Sequence, residues 1–193
     1  MTTYTEEEYL AYDLADDRPN EYNADRTVTR REGRSMNHVL ISGNITADLH
    51  TQLKVIEAFV FSSLMRVKIE ATTTYRYPDI GVVYGKPELI DTEPESLINP
   101  TILIEILSDF TESVDRNGKL NEYLKIPTLQ EYLLISQDEP QVERYLRQDD
   151  INWLYTALEG IDNSIDLPSI GCTLNFSDIY RRVNFDVKTD DED

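Results

Sequence analysis

Glu105 stands inside the most apolar stretch of the chain, Thr101-Ile-Leu-Ile-Glu105-Ile-Leu107. An unpaired charge buried there would cost several kcal/mol. The side chain must therefore leave at a strand end, meet a cation, or bind a metal. Asp79 poses the same question, because it follows Pro78 and opens the apolar run of Ile80, Val82 and Val83. Two acids on adjacent central strands can jointly hold a hard divalent cation such as Mg²⁺. Equally, each can cap a strand end or pair with an arginine. Lys119 is the third candidate. Asp115 and Lys119 form a favourable acid-before-base i,i+4 pair, worth about 0.2–0.5 kcal/mol on an exposed helix. The adjacent Gly118 would cost up to about 1 kcal/mol against Ala in mid-helix, which a close approach of that helix to another element would explain.

Other chemistries have no footing in this sequence. There is no G-x-S-x-G elbow, P-loop or dinucleotide fingerprint. His38 and His50 lie twelve residues apart without metal-ligand spacing. One cysteine, Cys172, excludes an internal disulfide and any multi-Cys zinc site, and beside Gly171 it reads as a buried small residue.

The charge narrows the partners. The 193 residues carry 18 Lys+Arg against 37 Asp+Glu, a net charge of −19 that repels phosphate backbones at long range. A polyanion partner must then be met by a local basic face. Arg26, Arg30, Arg31 and Arg34 put four arginines in nine residues and could form one, or could pair with surrounding acids. No apolar run approaches the roughly 20 residues of a membrane helix. The N-terminus has neither the basic start nor the apolar stretch of a signal peptide. The expectation is a soluble cytoplasmic domain.

The elements that position these residues follow from periodicity. Thr5 and Glu8 have capping-box spacing, which predicts a helix over 5–15. Residues 18–34 read as an arginine-rich hairpin or loop. Ser35 can cap a second helix carrying Leu40, Ile41, Ile45, Leu49, Leu53 and Ile56 at helical spacing. Met65, Val67 and Ile69 alternate with Arg66, Lys68 and Glu70, the period of a half-buried strand. Tyr75–Tyr84 reads as a strand with Pro78 near its start or at a bulge, and 86–100 as a loop. Residues 101–107 read as a strand buried on both faces. A helix over 111–125, strands at 131–136, 142–147 and 152–158, and a last helix around 176–182 complete an α/β layer with a mixed sheet.

Taken in order, Tyr77-Pro-Asp79-Ile, Ile102-Leu-Ile-Glu105-Ile-Leu-Ser108, Asp115-Arg-Asn-Gly-Lys119-Leu-x-x-Tyr123 and Glu131-Tyr-Leu-Leu-Ile135 resemble the Uma-type restriction endonuclease family of the PD-(D/E)XK nuclease superfamily. The resemblance runs from Thr5-Glu-Glu-Glu-Tyr-Leu to Leu167-Pro-Ser-Ile-Gly and Asp178-Ile-Tyr. It implies a restriction-endonuclease-like mixed central β-sheet flanked by helices, in one domain over 1–185 before an acidic tail over 186–193. It implies catalytic Asp79, Glu105 and Lys119, with Asp79 and Glu105 binding Mg²⁺ or Mn²⁺. The superfamily lysine usually stands two residues after the glutamate. Here that position is Leu107, and Lys119 matches a lysine moved to the following helix.

The family's early segment resembles Glu-Tyr-x-Asp-Gly and then Met-Gly-Ser-x-x-His. This chain has Glu21-Tyr-Asn-Ala-Asp-Arg and Glu32-Gly-Arg-Ser-Met-Asn-His38, so Glu21 and His38 match while the Asp-Gly turn is lost. Glu21 is then an auxiliary metal-site acid or an exposed hairpin carboxylate, and His38 an auxiliary group or a hydrogen-bonder at a helix start. The implied activity is metal-dependent hydrolysis of DNA phosphodiester bonds by a homodimer. The rival is a non-catalytic dimeric interaction or regulatory module that keeps the fold, a reading the net charge favours.

Overall fold

The computed structural model describes residues 2–30, 34–90, 95–108, 112 and 114–185. Arg31 and the acidic stretch 186–193 lie outside the described residues. The chain begins with α1 (Glu6–Ala15), the hairpin β1 (Asn20–Tyr22) and β2 (Val28–Arg30), and α2 (Met36–Leu53). Strands β3 (Ala58–Ser62), β4 (Arg66–Ile69), β5 (Thr74–Arg76) and β6 (Ile80–Tyr84) follow, then the two-residue strands β7 (Leu89–Ile90) and β8 (Ser96–Leu97). After β9 (Ile102–Leu107), a π-helical turn (Val114–Lys119) runs into α3 (Leu120–Tyr123). The remainder is β10 (Glu131–Ser136), β11 (Gln141–Arg147), β12 (Trp153–Glu159), the hairpin β13 (Ser164–Leu167) and β14 (Cys172–Asn175), and α4 (Phe176–Ile179).

Ile102, Ile104 and Ile106 on one face and Leu103 and Leu107 on the other make β9 apolar on both sides, and it takes a central place. The main sheet has the order β12-β11-β10-β9-β6-β3; β9 and β10 are parallel and the other neighbours antiparallel. A parallel pair needs a crossover. The π turn and α3 provide it. Ile41, Ile45, Leu49 and Leu53 of α2 pack on one face, against Ile80, Val82, Ile102, Ile104, Ile106 and Leu133. The other face presents Leu103, Leu107, Tyr132 and Leu134 to Tyr123, Ile126 and Leu129 and to Val67, Ile69 and Leu97 of a second sheet. That sheet has the order β2-β1-β5-β4-β8-β7. The mixed central sheet with flanking helices is the expected architecture. Among the described residues no helix is long and apolar enough to cross a membrane.

Several expectations change in detail. Residues 75–84 are not one strand: β5 belongs to the second sheet and β6 to the main one. Between them Pro78 has no N–H to give a ladder and holds the residue before it extended, so the chain changes sheets there. The expected loop at 86–100 contains β7 and β8, and β3, β13 and β14 stand where no strand was expected. The helix expected over 111–125 is the π turn and the short α3, and the last helix is only Phe176–Ile179.

Arg66 is the largest correction. Alternation would point it to solvent, yet it is 1% exposed. Its Nη1 donates to Asp13 Oδ2 at 2.9 Å and its Nε to Ser96 Oγ at 2.7 Å. The guanidinium also lies over the Tyr75 ring, 5.0 Å from its centroid. Asp13 in turn accepts from Tyr77 Oη at 2.5 Å and from the Asn20 N–H at 2.9 Å. This network ties α1, capped by Thr5 and Glu8 as expected, to the second sheet.

Two expected outcomes follow from buried charge. Asp13→Ala strands the Arg66 guanidinium and should cost about 3–5 kcal/mol in urea unfolding; a loss under 1 kcal/mol would mean the charge finds water. Glu131, fully buried at the start of β10, accepts from Ser169 N and Oγ at 3.0 and 2.6 Å. Burial raises its pKa, and the Ser169 hydrogen bonds oppose the rise without cancelling it. A raised carboxyl pKa favours folding below the unfolded value, and that contribution is lost as pH climbs through the folded one. Glu131→Gln, which keeps an acceptor for Ser169, should therefore gain stability on the wild type between pH 4 and pH 7. Parallel denaturation curves would refute this.

Candidate active site

The ladder between β6 and β9 pairs Ile80 with Ile104, so one step further it sets Asp79 opposite Glu105. On β9, Glu105 shares the face of Leu103 and Leu107, away from α2 and towards Tyr123. Both acids are buried, at 1% and 2% exposure.

Glu105 Oε1 accepts from Lys119 Nζ at 3.1 Å and from Tyr123 Oη at 2.9 Å. Asp115, Lys119 and Tyr123 recur every four residues, which brings all three side chains to the inner side of the π turn and α3. Lys119 Nζ lies 3.0 Å from Asp115 Oδ1 and 3.2 Å from Glu21 Oε1. One ammonium thus sits among three carboxylates. Tyr132 Oη donates to the Asp115 carbonyl at 3.3 Å and pins the turn to β10. Burial, and then the Glu105 charge, push the Tyr123 hydroxyl well above its ordinary pKa. It stays a donor.

Glu21 arrives from β1 in the second sheet. Its Oε1 accepts from the Tyr77 N–H at 3.4 Å and its Oε2 from Arg76 Nη1 at 3.3 Å. Arg76 also grips Glu122 with Nε and Nη2, at 2.8 and 2.9 Å. Burial works against the Arg76 charge, but Glu122 and Glu21 outweigh it and raise its pKa. A groove of about 680 Å³, lined among others by Asn23, Thr27, Arg76, Gly118 and Glu122, borders this network.

Asp79 has different company. Its Oδ2 accepts from the Ile106 N–H at 2.9 Å, across the same ladder. Arg34 Nη2 donates to Oδ1 at 2.9 Å, and His38 Nε2 lies 3.1 Å from that oxygen. Ser35, the cap of α2, accepts the His38 N–H and so fixes where α2 starts.

The structure therefore brings Glu21, Glu105 and Lys119 into contact, and puts Asp79, the residue before β6, beside His38 and Arg34. Glu21 is buried rather than an exposed hairpin carboxylate, because β1 pairs with β5 and faces inward. Among the described arginines, Arg34 turns in to Asp79, Arg30 pairs with Asp16 at 2.8 Å, and Arg26 is exposed at a turn with φ of 66°. Sequence reasoning missed Tyr123, Arg76 and Glu122, and saw in Asp115 only a helix partner. The four-residue spacing from Asp115 through Lys119 to Tyr123 carried the available signal.

Among the described residues, no three His, Cys, Asp or Glu side chains are grouped so as to hold a metal ion. The donor set on β6 and β9 is nonetheless of the right chemistry, two buried carboxylates on neighbouring strands offering hard oxygens. In this arrangement Arg34 and Lys119 supply the positive charge that those carboxylates require.

Comparison with known proteins covers most of the chain. The family model described as "Uma2: Putative restriction endonuclease" matches residues 6–177. The uncharacterized protein sll1609 of Synechocystis sp. is 35% identical over 134 residues, 69% of this chain and 76% of the relative. The uncharacterized protein slr1290 of the same organism is 30% identical over 179 residues, 93% and 92% of the two chains. A crystal structure described as a putative nuclease belonging to DUF820, from Anabaena variabilis, superposes with a TM-score of 0.74 at 21% identity. That likeness covers 92% of this chain and 97% of the other, and concerns the fold.

The cage around Lys119 changes what its removal should do. An exposed helix pair would cost about 0.2–0.5 kcal/mol. Stripping the ammonium from three buried carboxylates should cost about 3–5 kcal/mol at pH 7. Urea unfolding of Lys119→Ala at pH 7 measures this. A loss below about 0.5 kcal/mol would refute the cage.

Proposed function

The chain belongs to the Uma2 family, and from that premise we propose that it is a divalent-metal-dependent endonuclease that hydrolyses DNA phosphodiester bonds. The observation that carries the reading is the meeting of Lys119 with Glu105 on the strand beside Asp79. The resemblance calls for a lysine from the segment after β9 to serve this glutamate, and Lys119 Nζ lies 3.1 Å from Glu105 Oε1.

In this reading Asp79 and Glu105 hold Mg²⁺ or Mn²⁺. The bound cation supplies Lewis acidity towards a phosphate oxygen and makes water a stronger acid. The chain's own groups do the rest. Lys119 Nζ, anchored by Asp115 and Glu21 as well as Glu105, would stay in place with a cation bound, where its charge would offset what develops on the phosphate. Tyr123 and the Ile106 N–H each fix one carboxylate, so the pair is held before a ligand arrives. Glu21 serves as the auxiliary acid by orienting the ammonium, and His38 orients Asp79.

A second reading has an observation behind it. Both acids are already neutralised by protein cations, and the net charge is −19, which suits a non-catalytic dimeric module that kept the fold.

Plasmid cleavage with Mg²⁺ and Mn²⁺ separates the two. The wild type should nick or linearise DNA, and Asp79→Asn and Glu105→Gln should each lower the rate at least about a hundredfold while the fold persists. Equal rates in wild type and both variants would expose a contaminant. Absence of cleavage of every DNA form by the wild type would favour the non-catalytic module.

A further inference from the structure

We propose that Arg34 is the resident counter-cation of Asp79, and that a divalent ion gains the Asp79–Glu105 pair only by displacing its guanidinium. The inference rests on the metal-site reading above and adds the step that regulates it.

The groups that hold the two acids differ in how firmly they are built in. Lys119 is 5% exposed and surrounded by Glu21, Glu105 and Asp115. His38 is 6% exposed and belongs to the first turn of α2, and the Ile106 N–H is part of the sheet. Arg34 is the one that solvent reaches: its side chain is 31% exposed, against 2% for the Asp79 side chain beneath it. It precedes the cap of α2, so its side chain can swing without unwinding a helix. Nη2 donates to Asp79 Oδ1 at 2.9 Å and Nη1 to Ser63 Oγ at 3.0 Å. Ser63 lies in the connection between β3 and β4, so the second tether is a loop contact.

A guanidinium and a divalent ion that need the same carboxylate oxygen are thermodynamically linked. Each weakens the other by the same factor. The arrangement keeps Asp79 neutralised while no metal is present, and sets metal affinity below what the two carboxylates alone would give.

The test is calorimetric titration of Mn²⁺ into the full-length protein after chelator treatment. Arg34→Ala should bind Mn²⁺ at least about tenfold more tightly than the wild type, since a charge-assisted hydrogen bond no longer competes. Arg34→Lys, which keeps a cation there, should stay closer to the wild type. Ser63→Ala cuts the outer tether alone and should fall between wild type and Arg34→Ala; it carries the test if Arg34→Ala does not fold without metal. Asp79→Asn should lose binding throughout. Equal Mn²⁺ affinity in wild type, Arg34→Ala and Ser63→Ala, with binding lost in Asp79→Asn, would overturn the inference and leave the metal site standing. No binding in any of these proteins would overturn both.

Discussion

An ammonium group shut away from water among three carboxylates is the constraint around which this structure is arranged. Glu105 is tolerable in the middle of an apolar sheet because Lys119 and Tyr123 come down on it. To deliver them, the crossover between two parallel strands widens into a π turn, a form that is rare and often found at functional positions. Glu21 must then come from another sheet, and Arg76 must follow to hold Glu21 and Glu122. Each buried charge recruits the next. The site is less a set of residues placed on a fold than the reason why two sheets, a helix start and a crossover meet where they do.

Much of this was legible in the residue pattern. The strand over 101–107, the EYLLIS strand, the Thr5 capping box and the Ser35 cap are short-range signals, and short-range signals survive folding. What failed were inferences needing a distant partner. Arg66 looks like an outward residue of an alternating strand until Asp13, fifty-three positions earlier, supplies its counter-charge. Tyr75–Tyr84 looks like one strand because nothing local says that its two halves pair with different sheets. In the site, the acids on β6 and β9 and the lysine were evident from type and setting. Tyr123, Arg76 and Glu122 were not, since each gains meaning only from what it touches.

The acidic composition reads differently once burial is known. Among the described residues, eight carboxylates but only three Lys or Arg side chains are buried. Part of the negative excess is therefore interior. The interior excess also acts locally. Around Lys119 and Arg76, the four carboxylates of Glu21, Glu105, Asp115 and Glu122 face two cations, and such an imbalance draws positive charge inward.

The passage through Tyr77, Pro78 and Asp79 has a consequence for how the molecule folds. One continuous stretch supplies β5 to the second sheet and β6 to the main sheet, with Asp79 at the joint and Tyr77 bonded to Asp13. Neither layer can open without dragging the other by three residues of extended chain. Partial unfolding that spares one sheet is thereby penalised, because the joint that carries Asp79 is shared by both layers.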